Sequence, residues 1–442
     1  MTRETPPRAT SSWADTARLL RRTGFGATGS AVDTAVAQGQ DRYLAAMLVA
    51  DPGADLGAVR TPPPTFEPVA PAGPGADQAV RKAYRQAVNA QLQQLTTWWL
   101  RRMVAVQQPF GEKLTFLWHN HFATSATKVR RARVMLAQNE KQRRLGRGPF
   151  RDLAYAMLTD AATLDWLDGQ RNVKGAPNEN LAREFMELFA LGHGDGYTET
   201  DVREGARALT GWKIAPDGST TMRPKFHDDG IKTLLGVNGA LDAAGYCDAV
   251  LARPAGAAYV ITRTWGQLAS GHPPTAATLT GLTTAYGPNR SLGSLLSALL
   301  SSAEFAAARG TSVITPVEWL VGAIRALKVP LDEAAAKKLL PVLTGLGQLP
   351  FYPPSVAGWP PGTAFLSTSA AEARMKAAAT LVRSADLDPV SSVAPAGRID
   401  AVAHLLGVPG WTDRTAATLK ESVADPRALV TVALNAPEYL VQ

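Results

Sequence analysis

Apolar residues recur at three- and four-residue spacing along almost the whole chain, while runs alternating every second residue are nearly absent. That periodicity belongs to helices that each bury one face, and it leaves little room for a sheet. Trp13, Ala17, Leu19 and Leu20 predict a helix over 13–24, and Val32, Ala35, Tyr43, Leu44, Met47 and Leu48 another over 29–49. A long pattern over 77–118 carries Leu92, Leu95, Trp98, Trp99, Leu100 and Met103, and Pro109-Phe110-Gly111 divides it into two helices. Further helices are expected at 130–146, 150–160, 178–192 and 198–211. Beyond residue 240 they continue near 240–252, 256–270, 276–286, 290–308, 315–327, 332–347, 369–384, 398–406, 414–424 and 426–437. The expected fold class is all-α: a large multi-helical single unit with long Pro/Gly-rich loops and at most a short hairpin.

Residues 1–12 read as a flexible lead and 13–442 as one helical domain, with subdivisions to be looked for near 52–77 and near 240. Pro62-Pro63-Pro64 and the Pro68 to Pro74 stretch form the clearest internal linker. Hydrophobic residues make up 45% of the chain and charged ones 19%, enough apolar material for a sizeable core. The longest apolar runs, such as Leu295–Leu300, fall well short of the ~20 residues a spanning helix needs. No apolar leader follows the basic start, and Arg21-Arg22 precedes a Gly/Thr-rich stretch, so the chain as numbered reads as cytoplasmic. The single Cys247 rules out an intramolecular disulfide and a multi-cysteine zinc site.

The net charge of +8 is concentrated. Lys128, Arg130, Arg131, Arg133, Lys141, Arg143, Arg144, Arg147 and Arg151 stand against Glu140, nine cations less one anion. Such a stripe suits an acidic protein or an anionic polymer, unless its arginines pair with acids elsewhere. No aromatic RNA-binding sheet, zinc finger or basic zipper accompanies it, so nucleic acid is not the expected partner.

The densest functional chemistry lies between Ala176 and Gly236. On the helix capped by Asn178, 100° per residue gathers Asn180, Arg183, Glu184 and Glu187 on one stripe, opposite Leu181, Phe185, Leu188 and Phe189. Arg183 and Glu187 are spaced to pair, and Glu184 and Glu187 to act as acid and base or to offer oxygens to a hard cation. Thr198-Glu199-Thr200-Asp201 announces the next helix as a capping box. His227-Asp228-Asp229-Gly230 with Lys232 packs an acid–base pair and a cation into a loop. His119-Asn120-His121 is the one close histidine pair. In extended backbone both imidazoles could reach one divalent metal, with a third ligand from His227, Asp228, Asp229, Glu184 or Glu187. On a continued helix they lie about 200° apart and could not. Trp212, Trp265 and Trp359 are either an aromatic wall for a planar ligand or core anchors.

These stretches line up with a known pattern. Leu19-Leu20-Arg21-Arg22-Thr23-Gly24-Phe25-Gly26, Trp118-His119-Asn120-His121-Phe122 and Pro177-Asn178-Glu179-Asn180 through Leu191-Gly192 belong to it. So do Gly196-Tyr197-Thr198-Glu199, Ala206-Arg207-Ala208-Leu209-Thr210-Gly211-Trp212 and His227-Asp228-x-Gly230-x-Lys232-Thr233-x-x-Gly236. Gln348 with Pro353-Pro354-x-Val356-x-Gly358-Trp359-Pro360 completes it. Over about 15–442 the chain resembles the bacterial family catalogued as domain of unknown function 1800. The resemblance implies one largely helical unit and no particular reaction. Members of that family commonly look exported and neighbour a second uncharacterised family related to sulfatases. A sulfatase-like neighbour is therefore the partner, and export the alternative location, that the resemblance implies.

The functional expectation is hydrolysis or transfer, with a divalent metal assisting, on a polar or anionic substrate. Glu184, Glu187, His227 and Asp228 would be catalytic, Asn180, Arg183, Arg207, Lys232 and Trp212 would bind substrate, and His119 and His121 would hold the metal. The alternative is a non-catalytic binding or assembly partner that uses the basic surface.

Overall fold

A computed structural model describes residues 11–442 apart from Asp195, so all but the last two residues of the expected 1–12 lead lie outside the described residues. The described residues form an all-α architecture of twenty-four α-helices with two small two-stranded sheets. The helix Gln78–Ala105 is the longest; the Pro109 break then starts the helix Phe110–His121. No helix is long and apolar enough to cross a membrane among the described residues.

Three departures from the periodicity have local causes. The 29–49 pattern is two helices, Gly29–Gln38 and Gln40–Val49, because Gly39 takes a φ of 88° that only glycine adopts without strain. The 290–308 pattern is also two, since the Ser302 hydroxyl accepts the Phe305 N–H and starts a new helix, Ala303–Ala307. The 213–240 loop contains two antiparallel hairpins rather than at most one, Trp212–Ile214 with Thr220–Met222 and Lys232–Leu234 with Val237–Gly239. The Pro-rich 62–74 stretch is not free either: it buries Phe66 and is tied to the long helix by the Gln91 Nε2 to Glu67 carbonyl bond.

Two large apolar cores meet at one helix. Phe116 enters the core built on Leu92–Met103, Trp319 and the C-terminal helices. Leu114, Leu117 and Trp118 of the same helix enter the core built on Phe150, Phe185, Phe189, Tyr246 and Trp265. A helix wedged between two cores cannot satisfy a polar side chain on its buried flanks from solvent. Each polar residue it carries must therefore find a protein partner or line a cavity.

Candidate functional site

The His227–Lys232 motif is a clasp. Arg207 donates to Asp228 from Nε at 2.8 Å and from Nη2 at 3.3 Å, and its Nη1 donates to both oxygens of Glu204. Asp228 also accepts the Gly230 N–H, and its own N–H donates to the Thr210 hydroxyl. The hydrogen bonds from Arg207 hold the Asp228 carboxyl down to about 2, well below the usual carboxylate range. Lys232 is 1% exposed and donates to the Asp228 and Gly230 carbonyls. His227 lies with Nδ1 against the Thr210 carbonyl. Glu204 and Asp201 accept the Thr233 and Leu235 N–H groups, locking the second hairpin onto the helix Glu199–Ala208. Arg207, Asp228 and Lys232 are thus spent on each other and on backbone. Trp212 packs half-buried against the core built on Phe150, Phe185, Phe189, Tyr246 and Trp265.

The Asn178–Gly192 stripe is more open. Asn180 donates to the Leu167 carbonyl at 3.3 Å. Arg183 does not pair with Glu187; it takes Glu199 in a bidentate contact, with Glu179 one turn back. The helix widens into a π-turn over Phe185–Ala190, which carries Glu187 to 2.5 Å from His193 Nδ1. Glu184 sits half-buried, and burial, then the charge of Glu187, pushes its carboxyl up. The two glutamates interact with each other, and among the described residues no hydrogen bond or ion pair joins them to the residues of the clasp.

The histidines diverge because the helix continues through them to His121. His119 Nε2 accepts the Phe351 N–H at 3.1 Å, so its proton is on Nδ1. His121 Nε2 faces the Phe189 carbonyl at 2.9 Å, so it carries the proton. Both are 1% exposed, and burial, aided at His121 by the charge of Arg263, pushes each down to about 3. The two imidazoles therefore face opposite cores and do not converge on one ion. No group of three or more His, Cys, Asp or Glu is placed to hold a metal among the described residues.

What the same helix does build is a cavity of about 410 Å³, a volume that suits a small ligand. Lys113, Phe116, Leu117 and Asn120, spaced as one helical stripe, form one wall. Arg22, Arg263, Glu318, Gln348 and Trp359 close it from four other segments. Asn120 fixes the Pro-rich turn: its Oδ1 accepts the Trp359 N–H at 2.7 Å and its Nδ2 donates to Gln267. Gly358, at φ 86°, lies so close that a Cβ there would sit 2.3 Å from that same oxygen. Gln348 Oε1 accepts the Val317 N–H, and Phe116 stacks on Trp359 at 5.5 Å.

The electrostatics of this cavity are unbalanced. Arg22, Lys113 and Arg263 line it with Glu318, three cationic side chains to one acidic side chain, and the last residue, Gln442, lies beside them. Glu318 contacts Lys113 Nζ directly and accepts the Thr315 N–H with its other oxygen. Arg22 is 3% exposed and donates from Nη2 to a main-chain oxygen of Gln442, the last residue of the sequence, while its Nε has no partner among the described residues. The buried Trp359 Nε1, Arg263 Nε and Thr311 Oγ1 are also without partners among the described residues. Burial, then the charge of Arg22, lowers the Lys113 ammonium to about 7. Unpaired buried polar atoms are rare in folded proteins, and a cluster of them around one cavity, three being N–H donors, marks a place for an acceptor-rich guest.

The basic stripe is mostly neutralised in place. Lys128 pairs with Asp168, Arg131 with Asp165, Lys141 with Asp160, and Arg151 with Asp248. Arg143 is buried and clamps the fully buried Glu112 together with Arg102. Arg147 donates to the Leu48 and Ala50 carbonyls. The expected cationic face is thus largely paired with acidic side chains, at the surface for Lys128, Arg131 and Arg151 and inside the core for Arg143. Cys247 is buried, and its thiol is pushed up to about 12 by that burial, so it is unreactive.

Sequence reasoning passed over the cavity because it weighed His119 and His121 above the Asn120 between them. Arg22, Asn120, Gln348 and Trp359 were visible as members of the resemblance motifs. Lys113 and Glu318 carried no such signal, Glu318 reading only as the end of the Thr315-Pro316-Val317-Glu318 helix start. A family model described as "Protein of unknown function (DUF1800)" matches residues 18–441. No curated protein and no solved structure was found to match.

Proposed function

We propose, for a chain that belongs to the DUF1800 family over essentially its whole length, that it captures a small polar anion in the Arg22–Lys113 cavity. A single observation carries the reading: buried donors without partners among the described residues, Arg22 Nε and Trp359 Nε1 foremost, line a cavity with three cationic side chains to one acidic side chain. An anionic guest would supply both the missing acceptors and the missing charge. The Lys113–Glu318 pair beside it can pass a proton, which suits transfer chemistry on the guest. Glu184 and Glu187 remain a second, more exposed acidic pair. Within this reading they have no assigned contact with the guest.

Calorimetric titration with acetate, phosphate and sulfate tests the proposal. Arg22→Gln is expected to weaken the best of these anions at least ~10-fold, the direction expected when one partner of a buried charged contact is removed. Glu187→Gln, outside the cavity lining, should leave that affinity alone. Anions that fail to bind, or that bind Arg22→Gln as well as the natural chain, would overturn it.

A further inference from the structure

The cavity has two ends, and an unclaimed amide donor stands at each. Lys113 and Asn120 line it from the helix Phe110–His121, nearly two turns apart and so about 10 Å along the axis, with Phe116 and Leu117 between them. Lys113, paired with Glu318, marks one end; Asn120, bonded to Gln267, marks the other.

At both ends a main-chain N–H decides which way a glutamine points. The Val317 N–H can only donate, so it holds Gln348 Oε1. That leaves Gln348 Nε2, in a residue 2% exposed, with no partner among the described residues. This amide offers its hydrogens whatever balance Arg22, Lys113, Glu318 and Gln442 strike among themselves. At the far end the Trp359 N–H holds Asn120 Oδ1, so Asn120 Nδ2 donates to Gln267 Oε1 and Gln267 Nε2 is left over. Arg263 stands one turn before Gln267 on the helix Ala255–Leu268 and lines the cavity with it. Among the described residues Arg263 has no ion pair, and its one hydrogen bond is the 3.5 Å contact from Nη2 to the Ala357 carbonyl. A single small anion would reach one end and leave the donors of the other unmet.

We infer that the cavity takes an elongated aliphatic dicarboxylate, one carboxylate at the Arg22–Gln348 end and the other at the Arg263–Gln267 end. This inference rests on the cavity being an anion site and adds the second acidic group and the spacer. Phe116 and Leu117 between the ends suit methylenes and give a polar spacer no partner. A planar carboxylate takes guanidinium and amide N–H groups two at a time. Its single charge also suits the first end, where Glu318 would repel the second charge of a phosphate.

Calorimetry on the full chain tests this with succinate, adipate, suberate and sebacate, each against the monoacid of equal length: butyrate, hexanoate, octanoate and decanoate. At least one diacid is expected to bind ~10-fold or more tightly than its monoacid, the direction set by one additional desolvated charged contact. Gln267→Glu keeps the oxygen that Asn120 needs but puts an anionic oxygen where the free amide stood. It should bring diacid and monoacid to parity, since the Arg22 end stays open to both. Arg263→Gln, at a half-buried position, should do the same, and it decides the matter if circular dichroism shows Gln267→Glu unfolded. Diacids that bind no better than their monoacids, or a preference that survives the folded variants, would overturn the dicarboxylate and leave the anion site standing. Binding of phosphate or sulfate without any diacid would do likewise. If no anion binds at all, the anion site and the dicarboxylate fall together.

Discussion

Asn120 Oδ1 accepts the Trp359 main-chain N–H at 2.7 Å, joining residues 239 positions apart across the mouth of the cavity. The contact explains why glycine stands beside it, since a Cβ on Gly358 would strike the same oxygen. Asn120→Ala leaves a part-buried donor unmet, at a cost of about 1–3 kcal/mol. Gly358→Ala adds both a clash and an unfavourable φ. Because the two changes share one contact, their costs should not add: denaturant melts of the single and double variants should differ from additivity by at least ~0.5 kcal/mol. Strict additivity would mean that the turn is held by something other than Asn120.

The Arg207–Asp228 clasp makes a prediction opposite to the one its residue types suggest. His, Asp and Lys in one short loop look catalytic, yet Asp228 is ringed by Arg207, Thr210 and the Gly230 N–H. Asp228→Ala should lower stability by about 2–4 kcal/mol, the range for uncoupling a half-buried charged network, and leave anion affinity in the cavity unchanged. Titrating the folded variant with the best cavity anion checks this. Lost affinity at full fold would return the clasp to the functional site.

Arg143 and Arg144 are neighbours in sequence and opposites in structure. Arg143 is buried against Glu112, whose carboxyl burial would push up but whose two arginines hold it down to about 2; Arg144 is exposed. Arg143→Glu places a second carboxylate beside Glu112 and should cost at least ~3–5 kcal/mol. Arg144→Glu should stay within ~0.5 kcal/mol, the usual range for a surface change. Thermal melts of the two variants side by side distinguish an internal lacing from a docking face, which would respond to both charges alike in retention on an anionic resin.

Periodicity carried the fold because burial of one helical face is a local, repeating demand, written in positions such as Leu92, Leu95, Trp99 and Met103. Two breaks escaped it, at Gly39 and Ser302, where one backbone angle or one hydroxyl decides the outcome without disturbing the apolar spacing. The site was harder for a different reason. Side-chain type ranks His above Asn and a Lys among acids above a Lys among apolar residues, but function at a cavity depends on what lacks a partner. Lys113 sits between Glu112 and Leu114, and nothing in that neighbourhood says that Glu112 is claimed by Arg102 and Arg143 while Lys113 faces an opening. That knowledge exists only once Arg22, Glu318 and Trp359 arrive from distant segments.

His119 and His121 give the protein an acid limit that is separable from its carboxylates. Each is neutral in the folded state, held near 3 against an ordinary value of 6.5. The unfolded chain therefore binds more protons than the folded one between those values, so the contribution is full above about 6.5 and is lost as pH falls toward 3. Each imidazole should add about 1.4 kcal/mol per pH unit to the slope of stability in that window. His119 is the cleaner one to remove, because it only accepts from the Phe351 N–H and the Oε1 of a glutamine can do the same. His119→Gln should flatten the stability curve between pH 4 and 6 by that one increment while keeping the fold at neutral pH, as urea melts across the range would register. An unchanged slope would mean that His119 takes up its proton inside the fold, and the packing of Trp99, Phe351 and Trp359 around it would then have to admit a counter-charge or water.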